Sequence, residues 1–304
     1  MPKIKLPLNI KVIALGNRGC NVLERLTDLD SQSIKRVAIS VAGKVFNRLK
    51  LKDKIELVRN TNLDRGLDLE KIAGEAILEA REDILKQVNN TDAIFLLGNL
   101  TNETICYQVR EMAKLAKQAG ALVFFISSTP FPFEGALKQR TADEMKVLLE
   151  EAVDALLIVD NKKIITQDIL AEEALSQVDK VVADLINTIV DLVAKYGIVN
   201  VDFADLKSTI QNAGEVFFNN ISIDKNNLDT FAQDLFSKTN LISTSENLDK
   251  VLYVIYAGKD ILMEEVNIIG DKIREKLSTS ARIIFGVVND DSMKGKLKVV
   301  MIGG

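Results

Sequence analysis

Runs of apolar residues alternate with amphipathic stretches along the first half of the chain. Five short runs rich in Val, Ile, Leu and Phe have the length and composition of buried strands, at 10–15, 36–39, 93–97, 121–127 and 155–159. The stretches between them carry apolar residues at helical spacing, at 21–29, 69–89, 104–119 and 142–152. Repeated strand-then-helix units of this length predict an α/β fold with a parallel, doubly wound sheet, whose ligands bind at the carboxyl ends of the strands.

A longer amphipathic stretch follows, from residue 169 to residue 196. Its apolar residues keep helical spacing throughout, which predicts one long central helix ended by Gly197 as a left-handed cap. Beyond it, strand, helix, strand and strand patterns predict a smaller α+β second domain, at 251–256, 263–277, 281–288 and 297–302. We therefore divide the chain into a Rossmann-type domain over 1–168, a central helix over 169–200 and a C-terminal domain over 201–304.

The composition excludes several classes of protein. Of the 304 residues, 47% are hydrophobic and 27% are charged, as in an ordinary soluble protein, and the net charge is -4. This charge gives no electrostatic basis for binding nucleic acid or an anionic membrane. No apolar run reaches the roughly 18 residues that span a bilayer, and the N-terminus does not resemble a signal peptide. We expect a cytoplasmic protein that is linked to membranes only through partners.

The chain contains no histidine and only two cysteines. The absence of histidine excludes Ser-His and Cys-His nucleophile pairs and histidine metal sites, and we assign no metal-ligating residues. A general base would have to be a carboxylate, lysine, tyrosine or cysteine. Two cysteines do not make a disulfide framework.

An amide and two carboxylates lie within six positions directly after the long helix. Asn200, Asp202 and Asp205 can orient and polarise a water molecule that attacks a phosphoryl group. The same spacing also fits a helix start, with Asp202 or Asp205 as the N-cap. The residues alone leave both interpretations open.

Four segments carry a resemblance to one family. The sequence NVDFADL at 200–206 closely resembles the catalytic loop that FtsZ and its tubulin relatives insert against a nucleotide held by the neighbouring subunit. TPFPFEG at 129–135 resembles the FtsZ segment T-x-P-F-x-F-E-G, and IKVIALGNRGCN at 10–21 resembles its first strand and glycine turn. ARIIFGVVNDD at 281–291 looks like a strand of its second domain. By these segments the chain is identified as a member of the FtsZ/tubulin superfamily, which implies the FtsZ/tubulin fold and a GTPase site between two subunits.

The resemblance implies a second set of residues for the chain's own nucleotide, GTP or GDP with magnesium. In the family, one set contacts the phosphates, a second the sugar and phosphate region, and a third the guanine. The residues of the first set correspond here to Gly16, Gly19, Cys20, Asn21 and Thr104. Those of the second set correspond to Glu134 and Lys138, and those of the third set to Asn161 and Asp179. Simpler interpretations remain open for the last two, Asn161 as a turn residue at a strand end and Asp179 as part of a solvated helix face.

The loops that would hold the phosphates depart from the family pattern. A phosphate cradle needs backbone N–H groups aimed at oxygen atoms, with glycines where side chains would block the approach. Asn17 and Arg18 replace glycine, and Arg18 either contacts an anion or is solvated. SVA at 40–42 lacks a carboxylate for magnesium, DRGLD at 64–68 replaces a turn rich in glycine and alanine, and TNETICY at 101–107 replaces G-G-G-T-G-T-G. We therefore expect GTP binding and hydrolysis at this site to be weakened or lost.

The two candidate sites lie at opposite ends of the predicted long helix. From Asp179 to residue 196 the helix would rise roughly 25 Å, which is farther than one nucleotide reaches. If both sites act, they therefore act on different nucleotides. A head-to-tail contact between subunits provides this arrangement, and such a contact builds a filament when it does not close.

These observations favour an FtsZ-like cytoskeletal protein of cell division or membrane remodelling, which forms or modulates filaments by self-association or by co-assembly with a standard FtsZ. Two alternatives stay open, a self-assembling GTPase with compensated phosphate loops and a nucleotide-independent scaffold. Cys20 and Cys106 fall in neighbouring phosphate loops, either as a redox pair or as small apolar residues. The predicted final strand runs almost to Gly304, so we expect no linker and membrane-anchor peptide of the kind usual in the family.

Overall fold

The structure is a computed structural model that describes residues 8–26, 34–58, 68–165, 171–195, 197–225, 228, 231–236, 242, 248–293 and 295–304. The chain divides into two compact units, Met1–Ile186 and Asn187–Gly304. Of the predicted features, residues 27–29 of the first helix, residues 64–67 of the third phosphate loop, and residues 169, 170 and 196 of the long helix lie outside the described residues.

Six parallel strands form the sheet of the first unit, in the order β3-β2-β1-β4-β5-β6. Val, Ile, Leu and Phe dominate the inner strands, and every residue of β1, β4 and β6 is buried. The strands are β1 (Ile10–Leu15), β2 (Ile34–Val41), β3 (Asp53–Leu57), β4 (Ala93–Leu97), β5 (Leu122–Ser128) and β6 (Ala155–Val159).

Helices connect these strands and cover the sheet. Their apolar residues share one core with the strands, which includes Ile13, Leu96, Val109 and Phe125. The helices are α1 (Gly16–Arg25), α2 (Lys44–Arg48), α3 (Leu69–Glu79), α4 (Arg81–Val88), α5 (Glu103–Gln118), α6 (Ala136–Ala152) and α7 (Asn161–Ile165), and the long helix α8 (Ala171–Ala194) follows them.

The strand order places the candidate site. The chain moves outward from β1 in one direction through β2 and β3 and in the other through β4, β5 and β6. In a doubly wound sheet, ligands bind in the crevice outside the carboxyl ends of the two strands at which the order reverses. Here those strands are β1 and β4, so the crevice lies between the start of α1 and the loop that leads into α5.

The second unit contains a four-stranded mixed sheet in the order β10-β9-β11-β8. β9 and β10 are parallel, whereas β11 is antiparallel to both β9 and β8. A separate apolar core, with Phe231, Tyr253 and Ile269 among its members, holds the helices on the sheet. The elements are α9 (Phe203–Ile210), β7 (Gly214–Glu215), β8 (Phe217–Asp224), α10 (Phe231–Leu235), β9 (Lys250–Ala257), α11 (Met263–Arg274), β10 (Arg282–Asn289) and β11 (Lys296–Gly303).

The predicted fold class is confirmed, with a doubly wound parallel sheet, a long helix and a smaller α+β domain. Some local predictions were wrong. The single helix predicted over 69–89 is two helices, which meet at Ala80. The strands β3 and β8 were not predicted from the sequence.

Candidate functional site

A cavity of about 490 Å³ opens at the carboxyl ends of β1, β2 and β4, where the strand order predicts a ligand. Backbone and side chains of three loops line it, together with the first turns of α1 and α5. The lining residues are Leu15, Gly16, Asn17, Arg18, Ser40, Val41, Ala42, Gly43, Asn99, Asn102 and Ile105. Three of the four predicted phosphate loops therefore contribute to one crevice. The remaining loop is DRGLD at 64–68, of which residues 64–67 lie outside the described residues.

The glycine turn at the start of α1 has two structural requirements. Gly16 has a φ of +66°, a backbone conformation that glycine adopts without strain. A Cβ at Gly19 would lie only 2.4 Å from the carbonyl oxygen of Leu97, so this glycine lets α1 pack closely on β4. Asn21 accepts a hydrogen bond from Arg48 at 3.1 Å. Of the four predicted residues in this turn, Gly16 alone is among those that line the cavity.

The loop between β4 and α5 uses its own backbone donors. The N–H of Thr101 donates to Asn99 Oδ1 at 3.0 Å, and the N–H of Asn102 donates to the carbonyl oxygen of Asn99 at 3.2 Å. Asn102 caps α5, since its Oδ1 accepts from the N–H of Ile105 at 3.1 Å. These N–H groups point to partners within the loop rather than towards a ligand.

The side chain of Ile105 lies on the glycine surface of the cavity. A Cβ at Gly16 would meet Ile105 Cδ1 at 2.7 Å, and a Cβ at Gly98 would meet Ile105 Cγ2 at 3.3 Å. The isoleucine thus covers the two glycines whose bare backbone an anion would need to approach. Thr104, the one residue retained from the family signature, is half-buried and is not among the lining residues. The phosphate end of the cavity, as it stands here, does not fit a triphosphate.

Asp179 lies on α8 and is almost fully buried, with 3% of its side chain exposed. Its Oδ1 lies 3.1 Å from Arg18 Nη2, and its Oδ2 lies 2.8 Å from Arg25 Nη1. Burial raises the pKa of Asp179, and the two guanidinium groups act in the opposite direction. The alternative interpretation of Asp179 as part of a solvated helix face is therefore wrong, because the carboxylate is a buried member of a three-residue ion cluster.

Glu134 and Lys138 form a pair at the start of α6. Glu134 Oε2 accepts from Lys138 Nζ at 2.8 Å, and its Oε1 accepts from the N–H of Phe131 at 2.9 Å. Burial alone would raise the pKa of Glu134. The hydrogen bonds from Lys138 and Phe131, with the nearby charge of Arg18, bring it below its usual value.

The lowered pKa of Glu134 predicts a specific loss of stability in acid. Because the folded state favours the ionised form, its stabilisation is present above the ordinary glutamate pKa of about 4.3 and is lost as the pH falls through the lower folded value. Glu134→Gln keeps an acceptor for Phe131 but does not titrate there. We expect wild type to lose more stability than this variant between about pH 6 and about pH 3, measured by urea unfolding. In a Lys138→Met background the difference should shrink, and an undiminished difference would contradict the assignment.

Asn161 joins the end of β6 to the loop that follows β5. Its N–H donates to Thr129 Oγ1 at 3.0 Å, and its Nδ2 donates to the carbonyl oxygen of Thr129. Within the described part of the chain its buried Oδ1 has no hydrogen-bond partner. These hydrogen bonds fit the interpretation of Asn161 as a turn residue at a strand end. Its Oδ1 acceptor is not used by any of them.

Both cysteines are buried, free thiols. Burial raises the pKa of Cys20 to about 11 and that of Cys106 to about 12. Because the thiolate is the reactive form, neither group is activated for oxidation at neutral pH. The geometry favours the interpretation of both as small apolar residues over that of a redox pair.

The acidic loop lies in the second unit and starts α9. Asp202 Oδ1 accepts from the N–H of Asp205 at 2.9 Å, and Asp205 Oδ2 accepts from the N–H of Asp202 at 2.9 Å, which is a reciprocal capping box. Asn200 Oδ1 accepts from the N–H of Gly197 at 2.8 Å. Asp202 is therefore the N-cap of α9, as the interpretation of this segment as a helix start predicts. The two hydrogen bonds of the capping box use one oxygen atom of each carboxylate.

A close backbone contact fixes the position of this loop in its unit. Val199 pairs with Val287 of β10 in an antiparallel bridge. A Cβ at Gly197 would lie 2.1 Å from the carbonyl oxygen of Val287, so glycine is required there for the approach. Asn200 and Asp202 remain exposed, whereas Asp205 is half-buried.

No group of three or more Cys, Asp or Glu suited to a metal ion occurs among the residues that the structure describes. Over the same residues, no helix is both long and apolar enough to cross a membrane.

Comparison with known proteins agrees with this geometry. Residues 225–304 match the FtsZ family, C-terminal domain. The mitochondrial division protein fszA of Dictyostelium discoideum is 27% identical over 303 residues, a match that covers 97% of this chain and 58% of that protein. The C-terminal part of the chain is thus similar to the FtsZ family, and nearly the whole chain is similar to a mitochondrial division protein. The chain therefore spans just over half the length of this curated relative.

Solved FtsZ and CetZ structures share the fold over nearly the whole chain. An empty FtsZ dimer from M. jannaschii superposes with a TM-score of 0.80 at 24% identity, covering 98% of this chain and 88% of that one. CetZ2 from Haloferax volcanii, described as a GTPγS-bound protofilament, superposes with a TM-score of 0.82 at 17% identity, covering 98% and 93%.

Three features of the site were not predicted. Arg25 was not considered, although it follows Arg18 by seven residues and therefore lies on the same face of α1. Asn99 was not considered either, although asparagine often bonds to the backbone of its own loop. The replacement of a glycine by Ile105 in the loop TNETICY predicted bulk where the backbone would face a phosphate. Its contact with Gly16, which joins two segments 89 positions apart, was not predicted.

Proposed function

We propose that this chain is an FtsZ-like cytoskeletal protein of cell division or membrane remodelling that forms or modulates head-to-tail filaments. Its own phosphate site binds GTP weakly or not at all, whereas its acidic loop acts on the nucleotide of an adjacent subunit. The contact of Ile105 with Gly16 carries the first half of this proposal, because it fills the surface that a phosphate would occupy.

The acidic loop supports the second half. Its backbone is fixed by the capping box and by the bridge between Val199 and Val287. Asn200 and Asp202 are nevertheless exposed, so their polar groups are available to another molecule. A pre-ordered pair of carboxylates next to an amide can orient a water molecule for attack on a phosphoryl group.

Exposed apolar side chains support assembly. In the first unit, Phe133 stacks on Phe131 and is strongly exposed, as is Leu137. In the second unit, Leu262 and Met263 are also strongly exposed. Two different apolar surfaces suit a heterologous contact, in which one face of a subunit meets another face of the next.

A self-assembling GTPase with compensated loops is the second candidate. Arg18 favours it, since this cation lines the cavity at the start of α1 and could offset the charge of a phosphate. Under that hypothesis the purified chain alone would assemble and turn over GTP. Filaments indifferent to nucleotide and magnesium would instead support a scaffold.

A mixing experiment isolates the acidic loop. The partner is an FtsZ whose own catalytic-loop carboxylates have been replaced by amides, so that it holds GTP without turning it over. We expect this chain, added in substoichiometric amounts, to restore GTP turnover and to alter the sedimentation of the partner filaments. Unchanged turnover and unchanged sedimentation would contradict the proposal.

The variant Asp202→Asn with Asp205→Asn separates catalysis from helix capping. Asparagine is a good N-cap and retains an acceptor oxygen, so α9 should keep its start while the loop loses both charges. We expect restored turnover to fall at least about 100-fold, the usual scale of general-base catalysis. Asp271→Asn, which removes an exposed carboxylate on α11, serves as the matched control. Equal turnover with wild type, with the double variant and with the control would show that the two aspartates only cap the helix.

A further inference from the structure

The outer face of α6 carries two large apolar side chains in solvent. Leu137 is 79% exposed and Val147 is 62% exposed, although both lie on a helix that packs its other side into the core of the first unit. At 100° per residue, four outer residues fall within an arc of about 80°. They are Leu137, Arg140, Glu144 and Val147. Their spacing of three, four and three residues is that of the a and d positions at which two helices pack.

The order of these four residues makes the face complementary to itself. Leu137 and Val147 are each five residues from position 142. Arg140 and Glu144 are each two residues from it. A second copy of α6 that packs antiparallel about a two-fold axis at this position therefore places Leu137 of one copy opposite Val147 of the other. It likewise places each Arg140 opposite a Glu144, so apolar groups meet apolar groups and each charge meets its opposite.

The two charged residues at the centre have further capacity for hydrogen bonds. Within one helix, Arg140 Nε donates to Glu144 Oε1 at 2.8 Å, and both side chains are mostly exposed. The guanidinium group has additional N–H donors on its two Nη atoms, and the carboxylate has a second oxygen. Two arginines and two glutamates can therefore form one neutral network around the axis, flanked on each side by a contact between Leu137 and Val147.

A groove beside the C-terminal half of α6 extends this surface. Its volume is about 660 Å³, and it is lined by Leu148 and Ala152 of α6 and by Lys114 of α5, among others. In the antiparallel pair the start of α6 comes level with Leu148 of the other copy, so the preceding Phe133, which is 78% exposed, lies next to the groove. A helix of about 25 Å alone covers less than the roughly 800 Å² per partner of a stable interface, so we expect a reversible dimer.

We propose that the outer face of α6 is the contact surface of a closed, two-fold dimer of this chain. The partner is a second copy because the face complements itself both in charge and in apolar contacts, and a two-fold contact stops at two chains. Phe133 and Leu137 also belong to the surface proposed above for head-to-tail assembly, so dimerisation withdraws chains from filaments. The inference goes beyond the proposed function and does not depend on nucleotide binding.

Exchange of the central charges tests this contact. Arg140→Glu and Glu144→Arg each place like charges opposite one another on both sides of the axis, and each should weaken the dimer at least about tenfold. An equimolar mixture of the two variants instead pairs the introduced glutamate with the introduced arginine. We expect this mixture to restore dimerisation to within about threefold of wild type. Lys71→Glu, which makes the same change of charge at an exposed position of α3, is the matched control and should dimerise as wild type does.

Sedimentation equilibrium measures the dissociation constants, over a range from about 1 μM to about 1 mM for a weak contact. All proteins carry Leu262→Ser and Met263→Ser, which alter the exposed surface that the second unit would use for head-to-tail assembly. We expect the mass to level off at twice that of one chain. A monomer throughout, growth beyond two chains, equal dimerisation of all variants, or weakening that the mixture does not relieve would each overturn the inference. None of these results bears on the phosphate site or the acidic loop, so the proposed function would stand.

Discussion

Replacing Ile105 by alanine together with Asn102 by glycine is expected to raise the affinity of the chain for GTP with magnesium at least about tenfold, or roughly 1.4 kcal/mol. The alanine withdraws the side chain that lies on Gly16 and Gly98. The glycine withdraws the side-chain oxygen to which the N–H of Ile105 donates, which leaves that donor free for a phosphate. Affinity is measured by isothermal titration with GTP and magnesium.

The variant should remain folded, which makes its affinity interpretable. Glycine in place of an asparagine N-cap costs only a few tenths of a kcal/mol, and the half-buried position of Ile105 limits the cavity that its truncation leaves. Leu115→Ala removes a half-buried apolar side chain from the same helix away from the cavity, and it is the matched control. An equal rise in the control, or no rise in the double variant, would show that Ile105 and Asn102 do not block the site.

Loss of both arginines from the ion cluster is expected to destabilise the protein more than loss of Asp179. Replacing Arg18 and Arg25 by glutamine leaves an uncompensated buried carboxylate, which costs about 3 kcal/mol. Asp179→Ala leaves two cations whose side chains are 31% and 55% exposed and can turn to water, which costs about 1 kcal/mol. Urea unfolding measures both values, and a larger loss for Asp179→Ala would contradict this account of the cluster.

The pH dependence of the stability of the variant with Arg18→Gln and Arg25→Gln provides an independent check. Without the arginines, the buried carboxyl has a pKa raised further above its unfolded value, so the folded state binds the proton more tightly than the unfolded state. Stability lost at neutral pH is therefore regained as the pH falls through the raised pKa. A deficit that stays constant from neutral to acid pH would indicate that Asp179 finds another cation.

Local sequence patterns were sufficient for most of the sheet and insufficient at its margins. The inner strands are short, continuous apolar runs that fit burial on both faces, as in Ala93–Leu97. β8 has Asn219 and Asn220 at its centre, and it forms at the edge of its sheet by pairing with β11. Such pairing outweighs weak strand propensity and has no local signal.

The features of the candidate site likewise divide into those with a local sequence signal and those without one. The capping box of Asp202 and Asp205 follows from their three-residue spacing, which the sequence displays directly. The ion pairs of Asp179 join positions more than 150 residues apart, and a carboxylate in an amphipathic helix more often faces water. Contacts of this kind depend on which segments the fold brings together, which no local pattern specifies.

The nucleotide content of the purified wild-type chain tests the central claim most directly. Protein is isolated without added nucleotide, denatured, and its released nucleotides are quantified; GTP with magnesium is then titrated against a second sample. We predict far less than one guanine nucleotide per chain, weak binding of added GTP, and no turnover by the chain alone. One tightly held GTP or GDP per chain, exchanged and hydrolysed without a partner, would contradict the account.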